Sequence, residues 1–154
     1  MLAVPTFEWW GQPGGAYEDA WEASTPGGLD GFGAALVDIT ARGPYDGVIG
    51  FSQGGAVASL VPARWQMLFS TITPPTPTQL EAAGALPSSP LPRQKGFHCF
   101  DLQEEHAALC REMASRRDEP GTTVVHHAEG HVVPTGDAVL EQARAFLAAR
   151  LSED

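Results

Sequence analysis

Apolar residues recur along the chain in two rhythms. Leu29, Phe32, Leu36 and Ile39 in "LDGFGAALVDITA" keep the three-to-four spacing of a helix face, which predicts a helix over Leu29–Ala41. After the break "GPYDG", the run "VIGF" has the character of a short buried strand. The small or apolar residues from Gly54 to Leu60 then suit a helix that Pro62 stops. "WQMLFSTI" (Trp65–Ile72), "GFHCF" (Gly96–Phe100) and "TTVVHH" (Thr122–His127) predict three more strands. "LQEEHAALCREMASR" (Leu102–Arg116) reads as an amphipathic helix with Leu102, His106, Leu109 and Met113 on one face. A last helix, Ala138–Leu151, lines up Val139, Ala143, Phe146 and Leu147, with Leu140 and Leu151 adjoining, and Thr135 or Asp137 as its cap.

Between these elements the pattern lapses. Residues 1–28 are rich in Gly, Pro and Trp and read as loop with some short helix. Thr73–Lys95 carries six prolines and reads as mostly loop, long enough to suggest a lid over a site. There are no internal repeats. Short apolar strands alternating with helices predict an α/β fold, a three-layer sandwich around a reduced, mostly parallel sheet of about four strands.

Composition narrows the function classes. A chain of 154 residues, 43% of them hydrophobic, suits one domain spanning 1–154. A formal net charge of −10 with no basic run argues against a nucleic-acid partner. No apolar run approaches the roughly 20 residues that span a bilayer. "MLAVPTFEWWGQPGG" lacks a basic leader followed by an apolar core, so a cytoplasmic protein is expected. Cys99 and Cys110 form no CxxC pair and are expected as reduced thiols.

The candidate chemistry centres on "GFSQGG". It fits G-x-S-x-G, the nucleophile-elbow pattern, in which a serine sits on a strained strand-to-helix turn and small neighbours let strand and helix pack closely. Ser52 is thus the candidate nucleophile, against a structural serine in a glycine-rich turn. The backbone N–H of Gln53 would face a developing oxyanion. A serine nucleophile needs a base, and the base an orienting acid. Asp101 follows the "GFHCF" run and His131 lies in the loop after "TTVVHH", so Ser52, Asp101 and His131 occur in the order Ser–acid–His, each just past a strand. Asp101 could instead cap the following helix. Glu104 and Glu105 are second choices because they fall inside the predicted helical run. His126 and His127 compete with His131, but the end of a strand suits packed or surface roles better. A metal site built from His98, Asp101, His126, His127 and His131 lacks HExxH or paired CxxC spacing, and no metal or other cofactor is expected.

"GPYDGVIGFSQGGAVASL" together with "AEGHVVP" resembles the FSH-type serine hydrolases of the α/β-hydrolase superfamily, as does the pair Trp9–Trp10. Acyl-protein thioesterases share "GFSQGG" but lack "GH-x-x-P". The resemblance implies an esterase or thioesterase working through an acyl-enzyme on a small-molecule acyl ester or thioester, with Ser52 as nucleophile and His131 as base. It makes Asp101 the acid, although that family has "G-x-x-D" where this chain has "HCFDLQEEH". Phe51, Phe69, Leu86 and Leu91 are candidate substrate contacts. Members of the family begin with a strand and an "HG" loop that supplies a second oxyanion N–H, and nothing before Trp9 matches them. We therefore expect "VIGF" at a sheet edge, open to a homodimer, and a non-catalytic pseudo-hydrolase or interaction domain as the alternative.

Overall fold

The computed structural model describes residues 28–82, 94–116 and 120–152. The tryptophan pair and the candidate contacts Leu86 and Leu91 lie outside the described residues. Four strands, β1 (Tyr45–Phe51), β2 (Ala63–Phe69), β3 (Lys95–Asp101) and β4 (Thr123–His127), pair in parallel in their chain order. Five helices accompany them: α1 (Gly28–Ala41), α2 (Ser52–Ala58), α3 (Pro77–Ala82), α4 (Ala107–Arg116) and α5 (Asp137–Leu151). The register runs Phe51 opposite Phe69, Phe69 opposite Cys99, and Asp101 opposite His127, so β1 and β2 end together and β3 and β4 end together two residues further on.

Alternation along the strands divides the core between two faces. Met67, Phe69, Phe97, Cys99 and Val125 point to the side covered by α5, where Val139 and Phe146 meet them. Leu68 and Phe100, one position away, point to the other side and meet Met113, Cys110 and Ala114 of α4. There α2 supplies Ala56 and Val57, and α1 packs over it through Phe32 and Leu36. The expected α/β fold with four parallel strands and helices on both faces is what the chain adopts. Among the described residues, β1 pairs only with β2, and a groove of about 470 Å³ runs along it, lined by Ile39, Tyr45, Val48, Ile49 and Phe51 among others.

Two local expectations, on α4 and α5, are corrected. The helix predicted from Leu102 begins only at Ala107, because Leu102–His106 forms turns. The Asp101 carboxylate accepts the Gln103 N–H, and the Glu104 and Ala107 N–H groups bond three residues back to Asp101 and Glu104 carbonyls. These bonds compete with helical ones. The buried face of α4 is accordingly Ala107, Cys110, Met113 and Ala114, and Leu102 is exposed.

The proline-rich stretch is also not all loop. Thr76 and Gln79 cap α3 reciprocally, the Thr76 N–H donating to Gln79 Oε1 and the Gln79 N–H to Thr76 Oγ1, with Pro77 at the first helical position. Leu80 is then fully buried against the α1–α2 core, which anchors this part of the stretch in the fold. At α5, finally, neither Thr135 nor Asp137 is the cap: Gly136 occupies that position without a side-chain bond.

The join of β1 to α2 is unusually close. A Cβ on Gly50 would lie 2.5 Å from Gly55 Cα and 2.8 Å from Gly54 O, and one on Gly55 would meet Thr71 Oγ1 at 1.9 Å. Because Gly50 faces backbone, no rotamer change relieves the clash. Gly50→Ala is therefore expected to lower the urea unfolding free energy by at least the roughly 1–3 kcal/mol typical of overpacking. An unchanged midpoint would show that strand and helix are not in contact there.

Candidate active site

The strand ends bring three side chains into a line. Ser52 follows the last residue of β1 and begins α2 with φ of 52°, a left-handed conformation unusual for a residue with a Cβ. The tight Gly50–Gly55 contact over-determines this turn and holds the hydroxyl on it. Ser52 Oγ lies 3.0 Å from His131 Nε2. On the other side of the ring, His131 Nδ1 lies 2.8 Å from Glu104 Oε2. A carboxylate at Nδ1 places the imidazole proton there, which leaves Nε2 to accept the Ser52 O–H.

The carboxylate that meets His131 is thus Glu104, not Asp101. Asp101 Oδ1 takes the Gln103 N–H at 2.8 Å and Oδ2 takes the Gly130 N–H at 2.8 Å. Asp101 ties the turn bearing Glu104 to the loop bearing His131, and Gly130 makes the second bond reachable by adopting φ of 78°. The missed signal was spacing. In "G-x-x-D" the acid stands three residues after the glycine, and Glu104 likewise stands three residues after Asp101, the last residue of β3. Placing Glu104 on a helix hid that offset.

The environment of the three groups differs. The Glu104 side chain is only 1% exposed whereas His131 is 36% exposed, so a shielded carboxylate backs a ring open to solvent. Phe51 packs at a tilt against His131 with ring centres 5.0 Å apart, and His106 meets the ring edge-on at 5.8 Å. Phe51, Leu102 and Val132, next in sequence to Ser52, Asp101 and His131, are exposed apolar side chains. Phe69 is not among them. It is buried under α5, 5.9 Å from Phe97, and belongs to the core. His126 packs edge-on against Phe100, and the Nδ1 of His127 accepts the Glu129 N–H, so neither is brought to Ser52. Among the described residues no three His, Cys, Asp or Glu side chains gather as a metal site.

Two N–H donors hold the Asp101 carboxyl below its ordinary pKa, the Gln103 bond contributing most and the Gly130 bond next, against a smaller upward push from desolvation. A depressed carboxylate contributes stability that is complete above its unfolded value and lost as pH falls through the folded one. The urea-midpoint difference between wild type and Asp101→Asn is expected to hold from neutral pH to about pH 5 and to shrink below about pH 4, the ordinary Asp range. A difference that grew on acidification would contradict this assignment.

A parallel sheet between helices, with polar side chains collected at the C-terminal ends of its strands, is an open α/β arrangement, here of the α/β-hydrolase type. The solved structure of Zea mays acyl-protein thioesterase 2 shares it, with a TM-score of 0.55 at 16% identity over 84% of this chain and 69% of that one. Within that class the chain belongs to the serine hydrolase (FSH1) family, whose profile matches residues 3–143. It is 34% identical over 98 residues to Esterase alnB of Emericella nidulans, covering 51% of this chain and 34% of that protein. It is 24% identical over 116 residues to Rhodanese-like domain-containing protein 6 of Arabidopsis thaliana, covering 69% of this chain and 20% of the relative. The match thus spans about a third of one relative's length and a fifth of the other's. Among the described residues no helix is long and apolar enough to cross a membrane.

Proposed function

We propose that the chain is a serine esterase or thioesterase acting on small-molecule acyl substrates through an acyl-enzyme. The observation that carries this reading is the hydrogen-bonded series Ser52–His131–Glu104 at 3.0 and 2.8 Å, supported by membership of a serine hydrolase family. Ser52 Oγ attacks the acyl carbonyl carbon while its proton passes to His131 Nε2. The negatively charged Glu104 stabilises the resulting imidazolium through Nδ1–H. Gln53, in the first turn of α2, has an N–H that helical bonding leaves free, and it donates to the oxyanion. As the tetrahedral intermediate collapses, the leaving alcohol or thiol takes the proton from Nε2. Water then attacks the acyl carbon, with His131 again as base, and releases the acid and Ser52.

Asp101 acts in this scheme by holding the two loops together, without touching substrate. The exposed apolar side chains Phe51, Leu102 and Val132 favour an acyl group with a hydrocarbon portion. The nucleophile elbow is the turn at Ser52, whose positive φ supports it. The outer edge of β1, unpaired among the described residues, and its groove support a homodimer. The retained contacts among Ser52, His131 and Glu104 give no reason to prefer the non-catalytic alternative.

A fluorophosphonate tests the reading directly, because it forms a stable phosphonate ester only at an activated serine hydroxyl. Mass spectrometry of the digested, labelled protein is expected to find the adduct on the peptide bearing Ser52. A folded sample that takes no label, or takes it on another serine, overturns the assignment.

A further inference from the structure

The second oxygen of Glu104 has its own partner. Cys110, on the buried face of α4, places its thiol 3.3 Å from Glu104 Oε1, opposite the oxygen that faces His131. We infer that Cys110 is a positioning residue for the catalytic carboxylate, donating its S–H to Oε1 and fixing the plane in which Oε2 meets the imidazole. The inference rests on the serine-hydrolase reading above and adds a member that the triad does not contain.

The argument is one of orientation. The terminal torsion of a glutamate is broad, so a carboxylate gripped by one oxygen swings about that grip. Glu104 is buried, and a buried carboxylate oxygen without a donor is unfavourable. The thiol answers both needs from a rigid base, since Cys110 packs with Phe100 and Ala114 where α4 meets β3. It also remains a donor. Burial pushes the thiol pKa far up, and the charge of Glu104 pushes it further, so the sulfur keeps its proton at neutral pH. Cys99 is likewise raised, to about 12, chiefly by burial, but the contact with Glu104 Oε1 belongs to Cys110.

The test uses Cys110→Val, an apolar side chain of similar size, and Cys110→Ser, which restores a donor. A thiol is a weak donor and orientation is only part of the barrier, so Cys110→Val is expected to lower kcat by about 5- to 10-fold with KM unchanged. Cys110→Ser is expected to return kcat to within about twofold of wild type. Independently of turnover, the low-field proton resonance of His131 Nδ1–H is expected to shift or broaden in Cys110→Val and to recover in Cys110→Ser. Wild-type kcat and an unmoved resonance in Cys110→Val overturn the inference, as does a Cys110→Ser variant no better than Cys110→Val. If Cys110→Val does not fold, Cys110→Ala replaces it with the same expectation. If the wild type takes no label at Ser52, the catalytic reading fails on its own, and the Nδ1–H resonance still decides whether Cys110 orders the Glu104–His131 pair.

Discussion

Glu104→Gln is expected to lower kcat by about 10³- to 10⁴-fold, the scale seen when a triad acid becomes an amide, whereas Asp101→Asn is expected to lower it by no more than about tenfold. The two carboxylates stand three residues apart and only one touches the imidazole. The Glu104→Gln side chain keeps the shape but not the charge. Its NH₂ competes to donate to Nδ1, which would move the ring proton to Nε2 and leave the Ser52 hydroxyl facing a donor. No anion then stabilises the imidazolium. The amide of Asp101→Asn, by contrast, still offers one oxygen to the N–H of Gln103 or of Gly130, so the loops loosen without separating. Hydrolysis of a p-nitrophenyl ester by the two purified variants measures the contrast. The opposite order of effects would return the acid's role to Asp101 and leave Glu104 as a bystander.

Ser52→Ala is expected to cost about 10⁶-fold in kcat, comparable to loss of the nucleophile in other serine hydrolases. Ser52→Gly removes the same hydroxyl and also the Cβ that makes φ of 52° unfavourable. It is therefore expected to be equally inactive but about 1 kcal/mol more stable, at the low end of the cost of a left-handed L-residue. Ester hydrolysis and urea unfolding on the same two samples separate the contributions. Substantial turnover in Ser52→Ala would exclude Ser52 as the attacking group. A Ser52→Gly variant no more stable than wild type would mean that the turn is relaxed.

Periodicity served well where one face of an element is buried and the other wet. The stripe Val139, Ala143, Phe146 and Leu147 packs under the sheet, and Phe32 and Leu36 of the first helix are buried. It misled at Leu102–His106, where apolar spacing continued the helix but side-chain and carbonyl bonds from Asp101 and Glu104 stopped it. That error carried over to the site, since a helical Glu104 would not point at a loop histidine. The contact of Ser52 with His131 was legible because glycines bracket the first and a strand end and a loop frame the second. Glu104 was not, because a carboxylate's role depends on which of two neighbouring turns it occupies, and hydropathy does not record that. Phe69 shows the same limit: a large apolar residue at a strand end looks alike whether it lines a cleft or fills the core.

Among the described residues, Ser52 follows one outer strand of the sheet, β1, and His131 lies in the loop after the other, β4, 79 residues apart in sequence. Their meeting is a long-range contact, and the entropy of closing so long a loop is recovered only once the intervening strands have docked. A folding intermediate without β4 would carry the serine with no base beside it. Recovery of fluorophosphonate reactivity during refolding would therefore report completion of the last strand, not collapse of the first three.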